Sequence, residues 1–175
     1  MTAEYIHKFV MACEAVYGTR DPEEIFRQRR AAVKRSAPEG LRGLICIVDG
    51  RVVAAADSSL PEPVRKLTLA HLLGHALLHR KRLTSGVTFE EPPGENGGAA
   101  EREADLFAAE LLICDEEILT LRDGGLNEAQ LISSFGVLRD LVPKKLFSMR
   151  SRGISVCDEV CRADFLKRCD VELFF

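Results

Sequence analysis

The sequence predicts an α+β fold that is mainly helical, with a small β-sheet packed on one central helix. Three observations predict it. Apolar residues recur at spacings of three and four between residues 3 and 16, an Asp49-Gly50 dipeptide separates two strand-like runs, and a long apolar segment from Val64 to Leu78 is rich in helix formers.

Taken in order, Ile6, Phe9, Val10, Cys13 and Val16 line one face of a first helix, which Gly18 ends. Asp21 is a good N-cap; Pro22 and two glutamates then open a second, highly charged surface helix through about Lys34. Gly43–Val48 and Arg51–Ala56 flank Asp49-Gly50 and form a β-hairpin. Pro61 and Pro63 start a buried central helix that carries Val64–Leu78 and is closed by Arg80-Lys81-Arg82. Residues 84–98 hold two prolines, four glycines and three glutamates and read as a flexible loop. A helix resumes at Ala99 and runs to Ile113; after Gly124-Gly125, two short helices follow over 127–136 and about 139–150, with a turn at Gly136. The expected organisation is a core over 1–123 with a helical extension, 124–175, packed on it.

With 175 residues and 46% apolar content the chain suits a single hydrophobic core. Its 27 acidic and 24 basic residues nearly cancel, so no global field steers it toward nucleic acid or an anionic membrane. The N-terminus lacks the apolar core of a signal peptide, and no run approaches the roughly 20 apolar residues of a membrane span. The expectation is a cytoplasmic protein whose six cysteines are free thiols. Cys157, Cys161 and Cys169 cluster, but without the paired C-x2-C knuckles of a zinc ribbon.

Three of the four histidines fall within nine residues, His71, His75 and His79. Residues four apart on a helix project from one face about a turn apart, so His71 and His75 can bind one zinc ion. A third ligand must come from elsewhere, and the helix from Ala99 places Glu101 and Asp105 on a common face. Glu101 can complete the coordination while Asp105 accepts an N–H from a liganding histidine and fixes its tautomer. Glu103 is the alternative ligand. The competing explanation is a set of hydrogen-bonded core histidines, and His79, on nearly the same face, suits an outer or packing role.

These stretches, His71-Leu-Leu-Gly74-His75-Ala-Leu-Leu78-His79 and Glu101-Arg-Glu-Ala104-Asp105-Leu-Phe107-Ala108-Ala-Glu-Leu111-Leu112, resemble the signature of the ImmA/IrrE-type zinc metallopeptidases. The likeness extends more weakly over about residues 20–152. It implies a zincin-like, gluzincin-type metallopeptidase fold and a zinc ion held by His71, His75 and Glu101. It also implies a helix-turn-helix-like tail over about 126–153 and, as partner or substrate, a helix-turn-helix repressor of a mobile element, prophage or stress response.

The departure is Leu72. In such sites the glutamate after the first histidine is the general base, which takes a proton from the attacking water and passes it to the leaving amine. Leucine can do neither, and a missing proton shuttle removes about 10²- to 10⁴-fold of the rate. Glu90, Glu91 and Glu95 lie in the expected loop, a poor platform for a base. The expected function is therefore a zinc-binding, catalytically impaired regulator of such a repressor, the alternative being an active endopeptidase with a non-standard base. Arg139, Lys144, Lys145, Arg150 and Arg152 read as a solvated helix face; Pro143 interrupts any continuous recognition helix, so direct nucleic acid binding is not expected.

Overall fold

The computed structural model describes residues 1–35, 41–83, 89–90 and 98–156. The fold is α+β and mainly helical. Its elements are α1 (Ala3–Tyr17), α2 (Pro22–Gln28), β1 (Ala32–Lys34), β2 (Gly43–Val48), β3 (Arg51–Ala56), α3 (Glu62–Leu78), β4 (Phe89–Glu90), α4 (Ala99–Leu112), α5 (Asp115–Asp123), α6 (Glu128–Ser134) and α7 (Val142–Ser151).

Local chemistry accounts for most boundaries. The Thr2 hydroxyl caps α1 at its start, and Gly18, at φ 67°, closes it in the left-handed conformation that glycine adopts without a Cβ clash. Asp21 accepts the Glu24 N–H at 3.0 Å and Pro22 occupies the first turn of α2. Asp49 and Gly50, at φ 49° and 75°, make the two-residue turn that joins β2 to β3 in the register Val48↔Arg51. Asn127 and Gln130 cap α6 reciprocally.

Four sequence expectations need correction, the first being the loop expected over 84–98, in which Phe89 and Glu90 form β4 because their backbone pairs with β2. The second helix ends at Gln28, not near Lys34, because Arg30 takes φ 57° and the Ala31 N–H bonds back to the Phe26 carbonyl, a left-handed closure. The next residues form β1, paired parallel with β3. Asp115–Asp123 is a helix that was not anticipated. Residues 84–88, 91–97 and 157–175 are outside the described part, and with them Glu91, Glu95 and Cys157, Cys161 and Cys169.

The sheet has the order β1-β3-β2-β4, with β2 antiparallel to both neighbours. It lies on α3, and the approach is close. A methyl added to Gly43 would sit 2.6 Å from Thr68 Cγ2 and 3.1 Å from Leu72 Cδ1. On its other side α3 packs against α4, where a methyl on Gly74 would lie 3.0 Å from Ala104 Cα. Helix α3 is thus clamped between sheet and α4, with Leu69, Leu73, Phe107 and Leu111 fully buried around it. Helices α1 and α7 cover α4, and Leu146 and Met149 of α7 belong to the same core. Among the described residues no helix is long and apolar enough to cross a membrane.

Candidate metal centre

The α3–α4 contact brings the acidic face of α4 onto the histidine face of α3. His71 Nε2 and His75 Nε2 lie 3.0 Å apart, and Glu101 Oε2 is 3.2 Å from each. The three atoms form a nearly equilateral triangle. Both histidines are buried, whereas the Glu101 side chain is 26% exposed, so the triangle faces solvent on the carboxylate side.

The outer contacts determine which ring nitrogens point into the triangle. His71 Nδ1 lies 2.8 Å from Asp105 Oδ1, and an ionised carboxylate only accepts, so Nδ1 carries the proton and Nε2 presents a lone pair. His79 Nε2 donates in the same way to Glu103 at 2.9 Å, which makes the Nδ1 of a neutral His79 an acceptor. His75 Nδ1, 3.3 Å away, is then its donor, and the second Nε2 also presents a lone pair inward. Two lone pairs and a carboxylate oxygen converging within 3.2 Å repel one another unless a cation lies among them. Zinc–ligand bonds of about 2.0–2.2 Å in a tetrahedron separate ligand atoms by about 3.3–3.5 Å, close to what is observed, so the donor set fits zinc in both chemistry and size.

Electrostatics agree. Burial holds the His75 imidazole down to about 4, with repulsion from His71 acting the same way, so it is neutral at pH 7 as a ligand must be. The adjacent His71, and then His75, hold the Glu101 carboxyl below its ordinary value against its partial burial. Burial pushes Asp105 up, but His71 and Lys144, whose Nζ lies 3.3 Å away, outweigh it and keep the carboxylate charged. Glu103 is held low by the N-terminal ammonium and then by His79. The structure therefore brings His71, His75 and Glu101 together with Asp105 behind them, and places Glu103 behind His79, away from the triangle.

Leu72 is 1% exposed. One residue beyond His71 on a 100° helical step, it points toward β2 and contributes only methyl groups to that wall. Glu90 falls in β4, with its backbone opposite Leu44.

A second cluster escaped the sequence reading. Lys145, expected on a solvated face, is 1% exposed, with Nζ 2.7 Å from both Glu110 and Asp115. Arg152 forms a double hydrogen bond with Asp115, and His7 Nδ1 lies 2.9 Å from Glu110. The acids His7 could share with a metal are thus already neutralised by Lys145 and Arg152. A usable signal existed, since Glu110 interrupts an otherwise apolar helical run, and a carboxylate in a core-facing position needs a cationic partner.

Residues 28–147 match the sequence profile of the IrrE N-terminal-like domain, Peptidase_M78. The chain belongs to that family. M78 peptidases are zinc-dependent, and His71, His75 and Glu101 are a possible metal-binding group of this member. No curated protein and no solved structure shows significant similarity to the chain.

Proposed function

We propose that this M78 domain is a zinc-binding, catalytically impaired regulator that engages a helix-turn-helix repressor protein without efficiently cleaving it. The observation that carries the reading is Leu72, a buried leucine beside an otherwise complete ligand set.

His71, His75 and Glu101 would hold the ion; Asp105 and the His79–Glu103 pair would orient the two imidazoles. When bound, zinc supplies a Lewis acid that polarises a carbonyl and acidifies water. Peptide cleavage also requires a positioned group that accepts one proton and returns it to the leaving amine. Such a base must come within about 3 Å of its proton, and among the described residues the carboxylates around the triangle are otherwise engaged. Glu101 belongs to the ligand set, Asp105 binds His71 and Lys144, and Glu103 binds His79.

A protein partner is favoured over DNA by the state of the basic tail. Lys145 is buried and Arg152 half-buried against Glu110 and Asp115, and the more exposed Lys144 and Arg150 pair with Asp105 and Glu128, so the tail presents little uncompensated charge to phosphates. The partner itself follows from the resemblance to repressor-cutting relatives.

The test compares the wild type with Leu72→Glu, both loaded with zinc, on a purified helix-turn-helix repressor encoded beside the gene. Binding without appreciable cleavage by the wild type, and a gain of about 10²-fold or more in Leu72→Glu, is the expected result. Robust zinc-dependent cleavage by the wild type would establish an active endopeptidase with a different base and overturn the proposal.

A further inference from the structure

Between the end of α2, the β2–β3 turn and the C-terminal end of α3 lies a cavity of about 350 Å³. Phe26 and Ala76, both buried, belong to its wall. Four arginines line it: Arg29 and Arg30 from the end of α2, Arg51 from the β2–β3 turn and Arg80 just past α3. None of the lining residues belongs to the histidine triangle.

Among the described residues none of these four arginines pairs with a carboxylate. Arg20, Arg27, Arg65 and Arg152, by contrast, all do. Arg29 is held instead by the Tyr17 hydroxyl, which accepts from its Nη1 at 2.7 Å and leaves the guanidinium charge uncompensated. Arg30 stands at φ 57°, a left-handed helix-closing position that favours glycine, so an arginine there costs folding stability.

Helix polarity does not explain the cluster. The carbonyl ends of α2 and α3 each present the equivalent of about half a negative charge, together about one unit against four guanidinium charges. A net positive cavity with an apolar wall remains, in a chain whose formal net charge is −3.

We infer that this cavity binds a small, multiply charged phosphate compound. A single carboxylate would neutralise only one arginine, whereas a phosphate or pyrophosphate group accepts several forked guanidinium hydrogen bonds at once. The volume is at the small end for ligand pockets, which suits a compact anion with at most a small organic part resting on Phe26 and Ala76.

The test titrates the full chain with inorganic pyrophosphate by calorimetry at low ionic strength, with a 20-base-pair DNA duplex as a separate arm. One saturable site is expected, weakening by about ten-fold or more in Arg51→Ala and in Arg30→Gly. Because glycine suits the backbone at position 30, Arg30→Gly should melt at an unchanged or higher temperature, which separates lost binding from lost folding. Absence of pyrophosphate binding at millimolar concentration, unchanged affinity in both variants, or binding of the duplex but not of pyrophosphate would each overturn the inference.

Discussion

Lys145→Met tests the packing that joins the C-terminal helices to the metal-bearing helix. The lysine ammonium lies 2.7 Å from Glu110 Oε2 and 2.7 Å from Asp115 Oδ1, with the lysine and Glu110 side chains 2% and 1% exposed. Methionine fills nearly the same volume and removes only the charge. Glu110 would then keep His7 at 2.9 Å and Arg152 at 3.8 Å, the latter too long for a hydrogen bond, while its Oε1 already has no hydrogen-bond partner. Removing one partner of a buried pair typically costs about 3–5 kcal/mol, since an uncompensated charge stays in the core. For a domain of this size that is a fall of about 6–20 °C in melting temperature. Differential scanning calorimetry of the single mutant and of Lys145→Met/Glu110→Leu reads the effect, and the double mutant should recover most of the loss because no buried charge is left unpaired. A single mutant within about 1 kcal/mol of wild type would show that Lys145 reaches solvent and that the cluster does not organise this part of the fold.

Zinc content should be stoichiometric in the wild type and lost in His71→Ala, and Glu101→Ala should lose it more completely than Glu103→Ala; elemental analysis showing the reverse order would exchange their roles. His79→Ala should weaken zinc by about 10- to 100-fold without abolishing it, as measured by competition with a chromophoric chelator, because it removes the acceptor that orients His75. Gly74→Ala should destabilise by about 1–3 kcal/mol in urea melts, since the added methyl meets the Ala104 backbone at 3.0 Å; no loss would mean that the helices separate freely. Burial raises Glu110 and Asp115, but Lys145 and His7 at the first and Arg152 and Lys145 at the second outweigh it and hold both below their ordinary values of 4.5 and 3.8. Their contribution is present above those values and disappears as pH falls through the lower native ones, so urea midpoints should decline below about pH 5, and less steeply in Lys145→Met/Glu110→Leu.

Features whose partners lie within a few residues were legible in the sequence. The Asp21 cap, the Asp49-Gly50 turn and the three histidines on one helical face each depend on spacing alone. The Glu101–Asp105 face was legible for the same reason. Residues whose state is set by distant chain segments were not. Strand β1 exists through parallel pairing with β3, about 20 residues away, and its three residues carry no local signature of it. Lys145 reads as one more surface cation until Glu110, 35 residues earlier, is known to face it. Helix α5 does carry a local signal, since Asp115, Glu116 and Glu117 make an acidic first turn ahead of Ile118 and Leu121.

A regulator of the proposed kind needs coordination and proton transfer to depend on different parts of the fold, and the geometry separates them. The metal-facing and orienting side chains all come from α3 and α4, so the shape of the triangle is governed by one interhelical distance, held short by Gly74 against Ala104. Position 72 lies on a different side of α3, toward Gly43 and β2, and contributes nothing to that distance. A leucine there leaves the His71–Asp105 and His75–His79–Glu103 contacts in place while closing the sheet side of the helix with apolar surface. On the proposed reading, Leu72 would bear on proton transfer and on the wetness of the adjoining wall rather than on metal affinity. Wild type and Leu72→Glu should accordingly bind zinc within a few fold of each other and differ in turnover, while the buried carboxylate lowers the melting temperature of the variant.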